Sequence, residues 1–326
     1  MIKRIIGIIS RFFLGIPRFF SDASEFNVKV AFWRYLAFCI PSKKGSGYIE
    51  AISEYMNSEL SVITEKYNRG EFERNAERLY DMKDKIPVFV CWWQGEESMP
   101  PLVKTCYERI KSKLDDRLQL HLITEKNYIN YVDLPQVILE KYKEKKITLI
   151  HLTDILRYDL ARRYGGIWID STVYLTDSFV FDKYEEKYYS QAFSSADLCP
   201  AEPCMGKWCN FFFCGSENNV LFSYVYDGLI HWWKNHDELI DYIIVDYVIR
   251  SGYFGSDTIK KEIDSVEPNN ENMWLMANAL NDPYDDSFYA ELMRKNGFYK
   301  LSYKGNYVET LHNGNKTIYG YIVGKE

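Results

Sequence analysis

The chain contains no apolar run long enough to cross a bilayer. A spanning helix needs about 20 apolar residues, whereas the stretch from Ile5 to Ser10 is flanked by Arg4 and Arg11. The longer apolar segment and small-residue cleavage site of a signal peptide are also missing. There is no glycine-rich phosphate loop, since Gly305 and Gly314 stand alone as turn glycines. The histidines are His121, His151, His231, His236 and His312. Only His231 and His236 are near neighbours, and their spacing of five misses the i,i+4 register of a shared helix face. None is read as catalytic. Seven cysteines, an odd number without a secretion signal, suit a reducing cytosol. Cys199, Cys204, Cys209 and Cys214 recur every five residues. Zinc knuckles pair cysteines about two to four apart, so these read as buried or incidental thiols. Positive charge is scarce as well: the net charge is −6. An acidic body argues against nucleic acid as the main partner, because neutralising phosphates needs a basic surface.

What positive charge there is sits at one end. Residues 1–47 carry Lys3, Arg4, Arg11, Arg18, Lys29, Arg34, Lys43 and Lys44 against Asp22 and Glu25, a net of +6 that leaves −12 for the rest. Basic residues interrupting apolar ones make a basic amphipathic segment that can lie on an anionic membrane surface; the other reading is a helix packed on the domain. Aromatic residues make up 17% of the chain, with 27 Tyr and 8 Trp. Aromatic faces stack on the C–H faces of sugars. Codon bias in an AT-rich genome accounts for the same composition.

Three parts follow from the pattern: the basic segment 1–47, a helical lead-in over 48–85, and a domain over 86–326. Residues 41–47 look like a linker, with Pro41 and then Gly45 and Gly47. Within the domain, residues 86–93 and 118–123 read as strands, 100–114 and 130–142 as helices. Residues 154–164 read as a helix closing on Gly165 and Gly166, and 167–169 as a strand ending at Asp170. Phe211 to Phe213 looks like a buried strand and 238–250 a helix. Residues 299–303 and 317–323 look like closing strands. Alternating strands and helices predict an α/β sheet with helices on its faces. Ligands then bind beyond the carboxyl ends of the strands, where Trp92, Trp93 and Asp170 fall.

The segment from Thr153 to Thr172 reads TDILRYDLARRYGGIWIDST. Asp154 and Arg157 are three apart and share a helix face. Thr153 or Asp154 is placed to cap the helix start. The strand carries Asp170 to the sheet edge, so two acids and an arginine converge on one crevice. A nucleoside diphosphate leaving group gathers negative charge as a glycosidic bond breaks. A divalent cation on carboxylate oxygens, or an arginine, neutralises it. The alternative is a helix-surface ion pair beside an ordinary turn aspartate. Asp246, on the 238–250 helix, either reaches the crevice or lies on a solvated face.

The segments from Trp92 to Glu97, from Thr153 to Arg157 and from Tyr164 to Val173 resemble the capsular polysaccharide synthesis family of glycosyltransferases. That family is related to mannosyltransferases and to sugar-binding glycosyltransferases with an Asp-x-Asp motif. The resemblance covers roughly residue 86 to the C-terminus, with weaker matches at Lys207 and Trp208, from Asp241 to Tyr247, and from Tyr319 to Tyr321. It implies a GT-A-type fold: a single Rossmann-like nucleotide-binding sheet continuous with an acceptor-binding half, here with a helical N-terminal extension. It implies catalytic roles for Asp154, Arg157, Asp170 and Asp246. Trp92 or Trp93, with Gln94 and Trp168, would hold the nucleotide sugar together with Asp154, Arg157 and Asp170. Asp170 matches the first Asp of the metal motif. Thr172 stands where the second belongs, so a Mn²⁺ or Mg²⁺ cofactor would rest weakly on Asp170 and Thr172, borrow Asp177 or Asp246, or be absent. The implied reaction moves a hexose from a UDP- or GDP-sugar to a lipid-linked or oligosaccharide acceptor, with retention. The implied place is the cytoplasmic face of a bacterial plasma membrane. A sugar-phosphate transferase and a non-catalytic scaffold of capsule assembly are the rival readings.

Overall fold

The computed structural model describes residues 2–73, 76–181, 188–195 and 202–324, and Cys199 lies outside them. Strand β1 (Ile86–Cys91) is flanked by β2 (Leu118–Ile123) and β3 (Gly166–Ile169), both parallel to it. Strand β6 (Phe212–Gly215) adds antiparallel to β3, and the short β5 (Tyr189–Ser190) closes the sheet, giving the order β2-β1-β3-β6-β5. The fold is thus α/β with a mixed central sheet. A second, two-stranded sheet pairs β4 (Val173–Leu175) with β7 (Phe298–Lys300).

Side chains alternate across the pleat, so each strand feeds two cores. Phe89, Trp168 and Phe213 point to one, and Val88, Val90, Ile167, Ile169, Phe212 and Cys214 to the other. The first face is covered by α7 (Leu149–Tyr164) and α8 (Val220–Asn235), which supply Leu156, Leu160, Trp232 and Trp233. The second is covered by α5 (Pro101–Ser112) through Tyr107 and Ile110. A third cluster joins α5, β4 and β7 to α11 (Leu275–Ala279), α12 (Asp286–Lys295) and α13 (Ile318–Val323). Much of the aromatic content is spent in these cores: Trp232, Trp233, Trp208 and Trp168 are buried in the first.

The N-terminal helices are α1 (Ile2–Glu25), α2 (Val28–Cys39), α3 (Ser46–Glu59) and α4 (Ser61–Asn68). Asn27 caps α2 by accepting the Val30 amide at 2.8 Å. Ile52, Met56 and Leu60 enter the same core as Trp232 and Val248 of α9 (Ile244–Gly255). The expected linker is a tight turn, since a 3₁₀ segment (Pro41–Lys43) leads into α3 at Ser46.

Several boundaries differ from the sequence pattern, each for a local reason. The helix expected over 130–142 is α6 (Gln136–Lys143), because Pro135 steers the preceding residue away from helical angles. The helix expected from 238 starts at Ile244. Asp241 turns the chain by accepting the Ile243 amide at 3.0 Å, and it also binds Tyr48 and Lys44. Residues 317–323, expected as a strand, form α13. Thr317 caps it through the Gly320 amide at 2.9 Å, and Ile318 and Ile322 bury one helical stripe.

Candidate active site

The carboxyl ends of β1, β2 and β3 open on one edge of the sheet, where a cleft has two chambers of about 570 and 620 Å³. They share the wall formed by Arg157, Asp170, Tyr242, Trp274 and Lys300.

Local geometry at the wall begins with α7. The helix starts at Leu149, earlier than the expected cap at Thr153 or Asp154; Thr153 instead hydrogen-bonds the Ile150 carbonyl at 2.7 Å. Arg157 reaches Asp154 at 3.1 Å and Asp170 at 3.7 Å. The helix ends at Gly165 and Gly166, with φ of 63° and 80°. A Cβ on Gly166 would sit 2.3 Å from the Pro87 carbonyl oxygen, so only glycine lets β3 pair against β1 here. Four residues further on, Asp170 leaves β3 with its amide bound to the Phe211 carbonyl at 2.8 Å.

Asp170 is then fixed from three sides. The Trp168 indole donates to its Oδ1 at 2.9 Å, and Lys300 Nζ contacts its Oδ2 at 2.9 Å. The Arg157 guanidinium stacks 5.1 Å above the Trp168 ring. Burial pushes the Asp170 carboxyl up, but Lys300 and Arg157 outweigh it and hold the group below its ordinary value. For Asp154, burial wins over Arg157 and the shift is upward. Asp154 lines neither chamber; it is buried behind Arg157.

The first chamber runs from this wall to Trp92, Trp93 and Gln94. Trp92 is half-buried, with its ring edge-on to Tyr303 at 5.4 Å and its indole N–H on Ser98 Oγ at 2.9 Å. Trp93 is buried against Tyr128, and Gln94 is exposed. The second chamber holds Asp246, in the first turn of α9. Trp208 and Asn210 donate to its Oδ1 at 2.7 and 2.8 Å. Burial pushes this carboxyl up to about 7. Asn210 also accepts from Tyr158 at 2.6 Å through its side chain and from Arg157 through its carbonyl. Asp154, Arg157, Asp170 and Asp246 thus belong to one connected network.

Thr172 is buried, and its Oγ1 accepts from Lys300 at 2.6 Å. Asp177, the other acid considered for a metal, is turned away and pairs with Arg109 at 2.7 Å. Cys209 and Cys214 are buried. Among the described residues, no cluster of three or more His, Cys, Asp or Glu has the arrangement of a metal site.

Sequence reasoning missed Lys300, Asn210, Tyr242 and Trp274. The signal for Lys300 was a cation inside the apolar run Phe298, Tyr299, Leu301. Residues 299–303 were expected to be all strand. In fact β7 stops at Lys300 and the following residues bend along the first chamber.

Fold and site together describe an α/β protein with a two-chambered cleft at the carboxyl ends of its parallel strands. The chain belongs to the family of capsular polysaccharide synthesis proteins, which it matches over residues 21–322. That span takes in the N-terminal helices from the end of α1 onward, well beyond the resemblance read from residue 86. No curated protein and no solved structure matches the chain.

Proposed function

We propose that this protein is a GT-A-type glycosyltransferase that moves a hexose from a nucleoside-diphosphate sugar to a capsular or surface polysaccharide precursor. One observation carries the reading: two chambers meet at a wall made of Asp170, Arg157 and Lys300. A group-transfer enzyme needs two sites that touch where the bond is exchanged. The aromatic chamber of Trp92 suits a nucleotide, and the chamber of Asp246 suits an acceptor sugar. Exposed Trp274 and Tyr242 stand at the junction, with faces available for stacking.

In the reaction, the bond from sugar C1 to the β-phosphate oxygen breaks and its electron pair stays on that oxygen. The acceptor hydroxyl oxygen bonds to C1. Its proton passes to the departing phosphate in a front-face, retaining transfer. Arg157 stabilises the charge on the diphosphate, and Asp154 positions Arg157. Asp170 orients the cationic side chains of the wall, and Asp246 accepts a hydrogen bond from the acceptor.

Among the described residues no helix is long and apolar enough to cross a membrane. A lipid-linked acceptor at an anionic membrane surface still fits α1, where Phe13 and Leu14 are exposed between Arg11 and Arg18, and Phe20 just after Arg18.

The test is a screen of UDP- and GDP-hexoses with the purified protein, following nucleotide release. Release of nucleoside diphosphate supports the proposal. Release of monophosphate points to sugar-phosphate transfer, and no turnover with any donor points to a scaffold. Asp170→Asn should cut the rate by roughly 10²–10³-fold, the usual cost of losing an electrostatic stabiliser, with an unchanged circular dichroism spectrum. Full activity in that variant would remove Asp170 from the mechanism.

A further inference from the structure

We propose that Lys300 is the built-in cation of the donor site, standing where a divalent metal would otherwise bridge protein and diphosphate. The inference rests on the reading of the first chamber as a nucleotide-sugar site.

The donor set does not fit a metal. A Mg²⁺-like ion fills much of its octahedron with waters and substrate phosphates, but it still needs one or two carboxylates with free oxygens to hold it. Here the matching positions offer one carboxylate and one hydroxyl, and both are engaged. Asp170 Oδ1 takes the Trp168 indole and Oδ2 takes Lys300, while Thr172 Oγ1 takes Lys300 as well. The ammonium therefore bridges the two positions that a metal would link. A threonine in place of a second acid is what such an arrangement needs, because its hydroxyl accepts from an ammonium without adding a negative charge.

Lys300 is also held as a fixed group. It closes β7 opposite Val173, and its amide binds the Met273 carbonyl at 3.0 Å. The next amide, of Leu301, binds the Thr172 carbonyl at 2.9 Å. The Phe211 ring lies 5.4 Å from Nζ. An ammonium has three N–H donors. Two are used, and the third remains for a phosphate oxygen, since Lys300 lines both chambers. Within the wall Asp170 balances one of the two cations, Arg157 and Lys300, while Asp154 pairs with Arg157 from behind it, outside both chambers. Lys304, exposed in the first chamber and without an ion pair among the described residues, adds positive charge to it.

As the C1–O bond breaks and the electron pair moves onto the β-phosphate oxygen, the Lys300 ammonium neutralises that charge with a directed hydrogen bond.

The test is calorimetric titration of UDP and of GDP into the full-length protein, in EDTA and with Mn²⁺. The expected result is that at least one nucleotide binds in EDTA with an affinity within about threefold of that in Mn²⁺, a margin well under 1 kcal/mol. Lys300→Ala should weaken binding in EDTA by about tenfold or more, and Lys300→Arg should restore most of it, as expected for a charge-assisted hydrogen bond. Wild-type binding that requires Mn²⁺ overturns the role of Lys300 and leaves the donor site standing. Binding by a folded Lys300→Ala variant equal to wild type in EDTA overturns it too. Absence of binding by either nucleotide under both conditions removes the donor site itself, and the proposal with it.

Discussion

Asn210 joins the two halves of the cleft. Its carbonyl takes Arg157, its side chain takes Tyr158, and its amide donates to Asp246. Through it, the acid of one chamber is linked to the arginine of the shared wall. Asp246 has the most accessible titration of the group. Burial raises it to about 7, and Glu202 and Asp154 push the same way against the hydrogen bonds from Trp208 and Asn210. An unfolded aspartate titrates near about 3.9. Between those values the folded chain holds a proton that the unfolded chain has released. This group's contribution to stability is therefore full below about pH 4 and is lost as pH rises to about 7. Asp246→Asn should remove that slope. Relative to wild type, the variant should gain roughly 1 kcal/mol per pH unit between about pH 5 and 7, read from urea midpoints. Parallel profiles would show that Asp246 is ionised throughout. At this scale the sequence was most legible where contacts are local. Asp154 and Arg157 are three residues apart, and Asp170 ends the strand that follows. Lys300 and Asn210 were not legible, because they reach the wall across 130 and 53 residues of chain, through strand pairing that no local pattern encodes.

Among the elements, β1, β2, β3 and α7 were readable because their apolar periods are unambiguous and Gly165 and Gly166 punctuate the turn between α7 and β3. Helix α13 was misread because its tyrosine- and isoleucine-rich run has strand composition, and the Thr317 cap and the Ile318–Ile322 spacing decide against it. Of the lead-in expected to be helical over 48–85, the described residues are helical only within α3 and α4, which ends at Asn68, and their share in the main core depends on α8 and α9, far along the chain. Helix α1 raises a functional question at this level. Its pairing with α2 is secured by the buried Arg34–Asp22 ion pair at 3.1 Å and by Tyr35 donating to the Phe12 carbonyl. Yet Phe13 and Phe20 remain 71% and 66% exposed, which a helix packed only on its own domain would not need. The protein should sediment with phosphatidylglycerol vesicles and much less with phosphatidylcholine ones. Each basic residue near an anionic surface is worth about 1 kcal/mol, and salt should weaken the binding. A double variant, Phe13→Glu with Phe20→Glu, should stay folded, because both side chains are exposed, and should remain in the supernatant. Equal sedimentation with both lipids, or with the variant, would discard the membrane role.

For the whole molecule, the arrangement of the cleft follows from how the two sheets are joined. The central sheet delivers Trp92 and Asp170 from the ends of β1 and β3. The small sheet delivers Lys300 from the end of β7, and α9 delivers Asp246 from the far side. The wall is thus built from distant segments, while each chamber is lined mainly from one side. That separation has a kinetic consequence. A side chain found in one chamber alone should alter the affinity for one substrate, whereas a wall residue should alter the rate. Trp92→Ala should raise the donor KM by up to about tenfold, the scale of one lost aromatic contact, and leave the acceptor KM unchanged. Glu202→Gln, exposed in the second chamber, should do the reverse, with a smaller effect. Trp274→Ala, at the junction, should lower kcat as well as weaken both substrates, because its ring lines both chambers. Two-substrate initial-rate kinetics separates these patterns. If Trp92→Ala acted on the acceptor KM alone, the chambers would carry the opposite assignment, with the nucleotide lying beside Asp246. If it changed kcat without either KM, the two chambers would form one continuous site, and the wall of Asp170, Arg157 and Lys300 would cross the middle of a single substrate.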